Sequence, residues 1–116
     1  MKAVVSFRIK NKKVFFGPGT RELLERIGET SSLRHATEDM GLSYTKALRM
    51  LKDMRDELGF DLVISEKGGQ SRGKTTLTDK GYQVLNTFKE MDEKVSAYAQ
   101  KLLDENFIFD RKEGTE

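Results

Sequence analysis

Apolar and polar residues alternate from Val5 to Ile9, where Ser6, Arg8 and Lys10 interleave with Val5, Phe7 and Ile9, and the chain then turns at Asn11-Lys12 into Val14-Phe15-Phe16. A period of two marks a β-hairpin. A two-stranded ribbon does not stand alone in water, so its return strand must be covered, either by the core of its own chain or by a second subunit. Gly17-Pro18-Gly19 ends the ribbon and the period lengthens. Leu23, Leu24 and Ile27 form one helical stripe, with Arg21, Glu22, Glu25 and Arg26 outward as local ion pairs. This predicts a helix to about Ile27, closed by Gly28, with Ser31 or Ser32 capping the next.

The stretch Ser32 to Leu58 predicts two short helices broken at Met40-Gly41-Leu42-Ser43. Leu33, Ala36 and Met40 share a stripe, Gly41 supplies a left-handed turn, and Ser43 caps the second helix. This is a helix-turn-helix pattern. In the second helix Ala47, Leu48, Leu51, Met54 and Leu58 are assigned inward, leaving Thr45, Lys46, Arg49, Lys52 and Asp53 outward. Gly59 ends that helix, Leu62 to Ser65 reads as a short strand, and Glu66 to Lys74 is a glycine-rich basic loop before a returning strand at Thr75-Thr76-Leu77. Helix, helix, strand, basic loop, strand is the order of a winged helix. Its loop would set Lys67, Arg72 and Lys74 along a phosphate backbone.

Thr78-Asp79 opens the last helix, cap first and acid next. From Gly81 an apolar seam recurs on a seven-residue rhythm through Val84, Phe88, Met91, Val95, Tyr98 and Leu102. That is more apolar surface than a small domain covers, so the helix is expected to dimerise, with packing of Tyr82, Leu85 and Phe88 on its own domain as the competing reading. From Asn106 onward a polar, flexible tail is expected. The boundaries drawn are 1–78 for the DNA-binding domain with its N-terminal strand pair, 79–105 for the dimerisation helix and 106–116 for the tail.

Composition narrows the function classes. The chain has 116 residues, 36% hydrophobic and 34% charged, enough for one domain with a modest core. No run approaches the roughly 18 apolar residues of a membrane span, and the apolar start is too short for a leader, so a cytoplasmic location without membrane contact is expected. The absence of cysteine removes thiolate catalysis, disulfide frameworks and most zinc sites. His35, the one histidine, reads as a surface or packing residue. Residues 1–77 carry 15 Lys/Arg against 10 Asp/Glu, and residues 78–116 carry 6 against 9. A basic front and an acidic tail suit a nucleic-acid-facing domain. Gly68 to Thr75, GGQSRGKT, spells a phosphate-loop expression, but Thr75-Thr76-Leu77 reads as strand where that motif needs a helix. Neither an enzyme nor a metal or cofactor is expected, and no small-molecule effector is evident in the chain.

With ribbon, helix-turn-helix and wing in sequence, the chain resembles the N-terminal DNA-binding domain of the ModE-type molybdate-responsive transcription regulators, relatives of the LysR-type winged helix. The matching residues are Gly17-Pro18, Ser32-Leu33 with Ala36, Gly41-Leu42-Ser43-Tyr44 with Ala47, Gly68-Gly69, and Leu77-Thr78 with Gly81. They span about residues 3–105. The resemblance implies an α+β, mostly α, winged helix-turn-helix and a homodimer made by the ribbon and the long last helix. It also implies a Ser43-to-Leu58 helix in the major groove. Family members continue into molybdate-binding modules that are expected to be missing here, so DNA binding is implied and oxyanion sensing is not. Gln70-Ser71-Arg72 departs from a pure glycine run in the wing.

The expectation is a sequence-specific transcription regulator whose partners are double-stranded DNA and a second copy. Its DNA-binding residues would be Ser43, Tyr44, Thr45, Lys46, Arg49, Lys52, Lys67, Arg72 and Lys74. Its dimer residues would be Val14, Phe15, Phe16, Val84, Phe88, Met91, Val95, Tyr98 and Leu102. The alternative is a winged-helix protein-interaction module without sequence-specific DNA binding.

Overall fold

A computed structural model describes residues 1–66 and 73–109. The class is α+β and mostly helical, with four helices and two small antiparallel sheets among the described residues. In order the elements are β1 (Ile9–Lys10), β2 (Val14–Phe16), α1 (Pro18–Thr30), α2 (Leu33–Met40), α3 (Tyr44–Leu58), β3 (Val63–Ser65), β4 (Thr75–Leu77) and α4 (Asp79–Asn106).

The ribbon pairs Ile9 with Phe16 and Lys10 with Val14, which leaves Phe15 as an extra residue in the return strand. Such a bulge turns two consecutive side chains inward, and both Phe15 and Phe16 are buried. Phe16 lies against the Phe88 ring at 4.7 Å between centroids, and Phe7 stacks on the same ring at 4.6 Å. Upstream of β1 the burial still alternates, with Ala3, Val5 and Phe7 half-buried and Val4, Ser6 and Arg8 exposed. Among the described residues no strand pairs with it. The segment is fastened to α4 by the Ala3 amide, which donates to Gln100 Oε1 at 2.8 Å.

Polar contacts latch the ribbon onto the C-terminal half of α3. The Lys12 amide donates to Glu57 Oε1 at 2.8 Å, and Lys13 Nζ meets Asp53 Oδ1 at 2.9 Å. That hydrogen bond holds the Lys13 ammonium above its ordinary pKa. Asp53, assigned outward with the cationic face, is therefore turned toward the ribbon.

Helix α1 is the centre of the core. Leu23, Leu24 and Ile27 are fully buried among Leu33, Ala36, Met54, Leu77 and Leu85. The helix does not stop at Gly28 but runs to Thr30, where Ser31 takes the left-handed conformation at φ 55° and its amide donates to the Ile27 carbonyl. Gly28 stays inside the helix beside Leu77, where a Cβ would meet Leu77 Cδ1 at 3.4 Å, an ordinary contact. Arg21 reaches Asp92 of α4 at 2.8 Å and Arg26 reaches Asp39 of α2 at 3.3 Å, so α1 is tied to both neighbours.

Strand β4 pairs with β3 in the register Val63–Leu77, Ile64–Thr76 and Ser65–Thr75. On its other side the Thr75 amide donates to the Ser31 carbonyl, and Lys74 bridges Ser32. Helix α4 then starts without a linker. Thr78 caps it by accepting from the Gly81 amide, while the Thr78 hydroxyl donates to the Asp61 carbonyl at 2.8 Å. Leu85 and Phe88 are its last buried residues, and Tyr82, a candidate for packing on the domain, is exposed. The following 18 residues of the helix run past the core. Among the described residues no helix is long and apolar enough to cross a membrane.

Candidate nucleic-acid interface

Three residues separate α2 from α3, and each has a defined task. Gly41 adopts φ 68°, where a side chain would be strained, and ends α2 with its amide on the Glu38 carbonyl. The Leu42 amide closes back on the Thr37 carbonyl at 2.9 Å. Ser43 Oγ accepts from the Lys46 amide at 3.0 Å, satisfying one of the orphan donors at the start of α3.

From this cap, Tyr44, Thr45, Lys46, Arg49 and Lys52 all lie exposed on α3, while Ala47, Leu51 and Met54 are buried. Among the described residues, the side chains of Thr45, Lys46 and Arg49 make no hydrogen bond or ion pair. Lys52 differs, because its ammonium sits 2.7 Å from Asp56 Oδ2 and holds that carboxyl below its ordinary pKa. Part of its charge is thus balanced within the helix. Leu48 departs from the expected stripe: it is 47% exposed, between the buried positions and Arg49.

The β3–β4 pair closes one flank of this face. A shallow cleft of about 180 Å³ runs between β3 and α3, bounded by Leu48, Lys52, Arg55, Val63 and Ser65. Lys74, at the foot of the returning strand, is exposed beside the Ser32 cap of α2. Its carbonyl accepts from the Glu66 amide, and Gly73, at φ 83°, donates back to the Glu66 carbonyl. Lys67 and Arg72 lie outside the described residues. On the opposite flank Lys46 borders an open groove of about 450 Å³ shared with Arg8, Val14 and Gly17.

No family model matches the chain, and no curated protein matches it. Any reading of function therefore rests on this chain's own residues.

The expected dimer residues divide into two groups. Phe15, Phe16 and Phe88 are core residues at 7%, 1% and 2% exposure, turned inward by the ribbon bulge and the first turns of α4, so they form no outer face and only edge the recess between the ribbon and α4. Val14, Met91, Val95, Tyr98 and Leu102 are exposed, and Val84 is half-buried. The opposite face of α4, with Asp92, Ser96, Ala99, Gln100 and Leu103, is half-covered. Three apolar residues just beyond the helix fall in the stretch expected to be a polar tail. Phe107, Ile108 and Phe109 are 53%, 75% and 65% exposed, with the two rings edge to face at 5.0 Å. A run of three large apolar side chains is the signal available in the sequence. The burial pattern of α4 makes it conspicuous.

Proposed function

We propose that the protein is a winged helix-turn-helix DNA-binding regulator acting as a homodimer, with α3 in the major groove and the β3–β4 loop on the phosphate backbone. The carrying observation is the outward face of α3: Thr45, Lys46 and Arg49 lie exposed in the first turns of a capped, well-buttressed helix, with no intramolecular partner among the described residues. Side chains at the start of such a helix reach base edges, and Arg pairs two acceptors of guanine. Lys74 stands on the flanking strand, where a cation meets phosphate rather than a base. The exposed seam of α4 supports the second copy.

Arg49→Ala is expected to weaken binding to the preferred site by about 1–3 kcal/mol and to random DNA far less. Competition titrations on both DNAs check this, and equal losses would reassign Arg49 to a phosphate. Lys74→Ala is expected to weaken all sequences alike and to lower the slope of log K against log salt by about 1. An unchanged slope would remove Lys74 from the interface.

The second reading, a protein-docking module, draws on Tyr44 and Leu48, two large side chains exposed one turn apart near the start of α3. Salt separates the two readings. Contacts to several phosphates weaken steeply as salt rises, whereas an apolar contact does not.

A further inference from the structure

An apolar cavity of about 320 Å³ lies where the ribbon, the end of α3 and α4 meet. Ile9, Phe15 and Leu58 form part of its wall, and Val84, Thr87 and Met91 line it from α4. At the far end of the same helix stands the exposed trio Phe107, Ile108 and Phe109. Between them, on the solvent side of α4, run Met91, Val95, Tyr98 and Leu102. One long helix thus carries an apolar recess, an apolar stripe and an apolar plug in that order.

A chain cannot fill its own recess with its own plug. At a rise of 1.5 Å per residue, the helix from Thr87 to Asn106 spans about 28 Å, whereas three extended residues reach only about 10 Å. A second copy can. In an isologous pair the same patch meets itself about a two-fold axis: with the axis along the helices they run parallel and recess faces recess, whereas with the axis across them they run antiparallel and each recess faces the other copy's plug. The midpoint of Met91 to Leu102 falls between Ser96 and Ala97. Reflection through that point sets Phe107, Ile108 and Phe109 of one copy opposite residues 84–86 of the other, at the mouth of the cavity.

We infer that in the dimer Phe107-Ile108-Phe109 of each protomer docks into the cavity formed by the ribbon, α3 and α4 of the other, clamping the two ends of an antiparallel α4 pair. This rests on the homodimer reading and specifies its geometry. The docked trio would touch Phe15 and the end of α3. The ribbon and the recognition helix of one copy would thereby be held by the far end of its partner's α4.

The chain has no cysteine, which permits a clean cross-linking test. Thr87→Cys and Ile108→Cys are made separately, both at exposed positions, mixed to allow subunit exchange, and oxidised mildly. The expected product is the mixed dimer, disulfide-linked from position 87 of one chain to position 108 of the other, in excess over either like-with-like dimer. The doubly substituted chain should link between chains, never within one. Sedimentation of the unmodified protein runs alongside. A dimer that forms no mixed link overturns the docking and leaves the homodimer standing, while a monomer overturns both. Phe107→Ser with Phe109→Ser, which removes side chains that support no core, should raise the dimer dissociation constant at least tenfold and open the cavity to an apolar fluorescent dye. Equal dye binding by the intact dimer and this variant would mean that the recess is kept for a small apolar ligand, and would likewise overturn the docking. Neither readout involves DNA.

Discussion

Val95→Glu combined with Leu102→Glu is expected to convert the protein to a monomer and to weaken binding to an inverted-repeat site by about 10²–10⁴-fold, the gain that joining two weak binding modules provides. Both side chains are about 40% exposed within the chain, beyond the last buried residue of α4, so the body should remain folded. At about 25 cal/mol per Å², a few hundred square ångströms of apolar stripe contributes several kcal/mol before association entropy is subtracted. Two carboxylates in the middle of that stripe would have to be desolvated without partners. Sedimentation velocity at micromolar concentration gives the first result and a gel-shift titration the second. If the double variant remains dimeric, the association uses some other surface. If the unmodified chain is a monomer that binds one half-site tightly, the dimer and the palindrome both fail.

Gly81→Ala is expected to destabilise the fold by about 3 kcal/mol, at the upper end of what an over-packed site costs, and to lower Tm by roughly 10 °C. A methyl group at position 81 would overlap the Leu62 carbonyl oxygen and press on the Leu62 carbonyl carbon at 3.1 Å. The obstacle is backbone, which cannot rotate aside. The same carbonyl accepts from the Thr78 amide, so moving it also loosens the start of α4. Gly28→Ala supplies the contrast. There the new methyl meets only Leu77 Cδ1 at ordinary contact distance, and exchanging glycine for alanine inside a helix should stabilise by roughly 0.5–1 kcal/mol. Thermal unfolding of the two variants should therefore show shifts of opposite sign; a Gly81→Ala protein as stable as the parent would mean that the α4 start yields easily.

Much of this architecture was legible because local chemistry and the tertiary fold agree. Gly41, Ser43, Thr78 and Gly59 each do what their residue type favours, and the boundaries of α2, α3 and α4 follow from them to within a residue or two. The sequence misleads where a neighbour distant along the chain decides the outcome. Gly28 looks like a helix stop, but Leu77 packs against it and the left-handed position falls to Ser31. Leu48 sits at the margin of a stripe, where the helical period alone cannot tell whether anything will cover it. Asp53 fits the outward face by its period, but Lys13 draws it to the ribbon. For Phe15 and Phe16, alternation cannot resolve which side a bulge will turn inward. At the candidate interface, the order of Ser43, Tyr44, Thr45, Lys46, Arg49 and Lys52 along α3 was readable, whereas the internal pairing of Lys52 was not. Lys67 and Arg72 fall outside the described residues, so of the loop's three candidate cations only Lys74 has a described position.

The join between β4 and α4 bears on how such a regulator would measure its target. Because Thr78 is pinned to both Asp61 and Leu62, and α4 stays packed on the body as far as Phe88, there is no swivel between α3 and the far half of α4, the proposed reading and pairing elements. Two protomers joined through α4 would act as a ruler of fixed length. DNA makes one turn in about 10–10.5 base pairs, so inserting half a turn between two half-sites would carry one of them to the far side of the duplex. A regulator with a pliant linker could reach around; one built on this joint would reject the altered spacing.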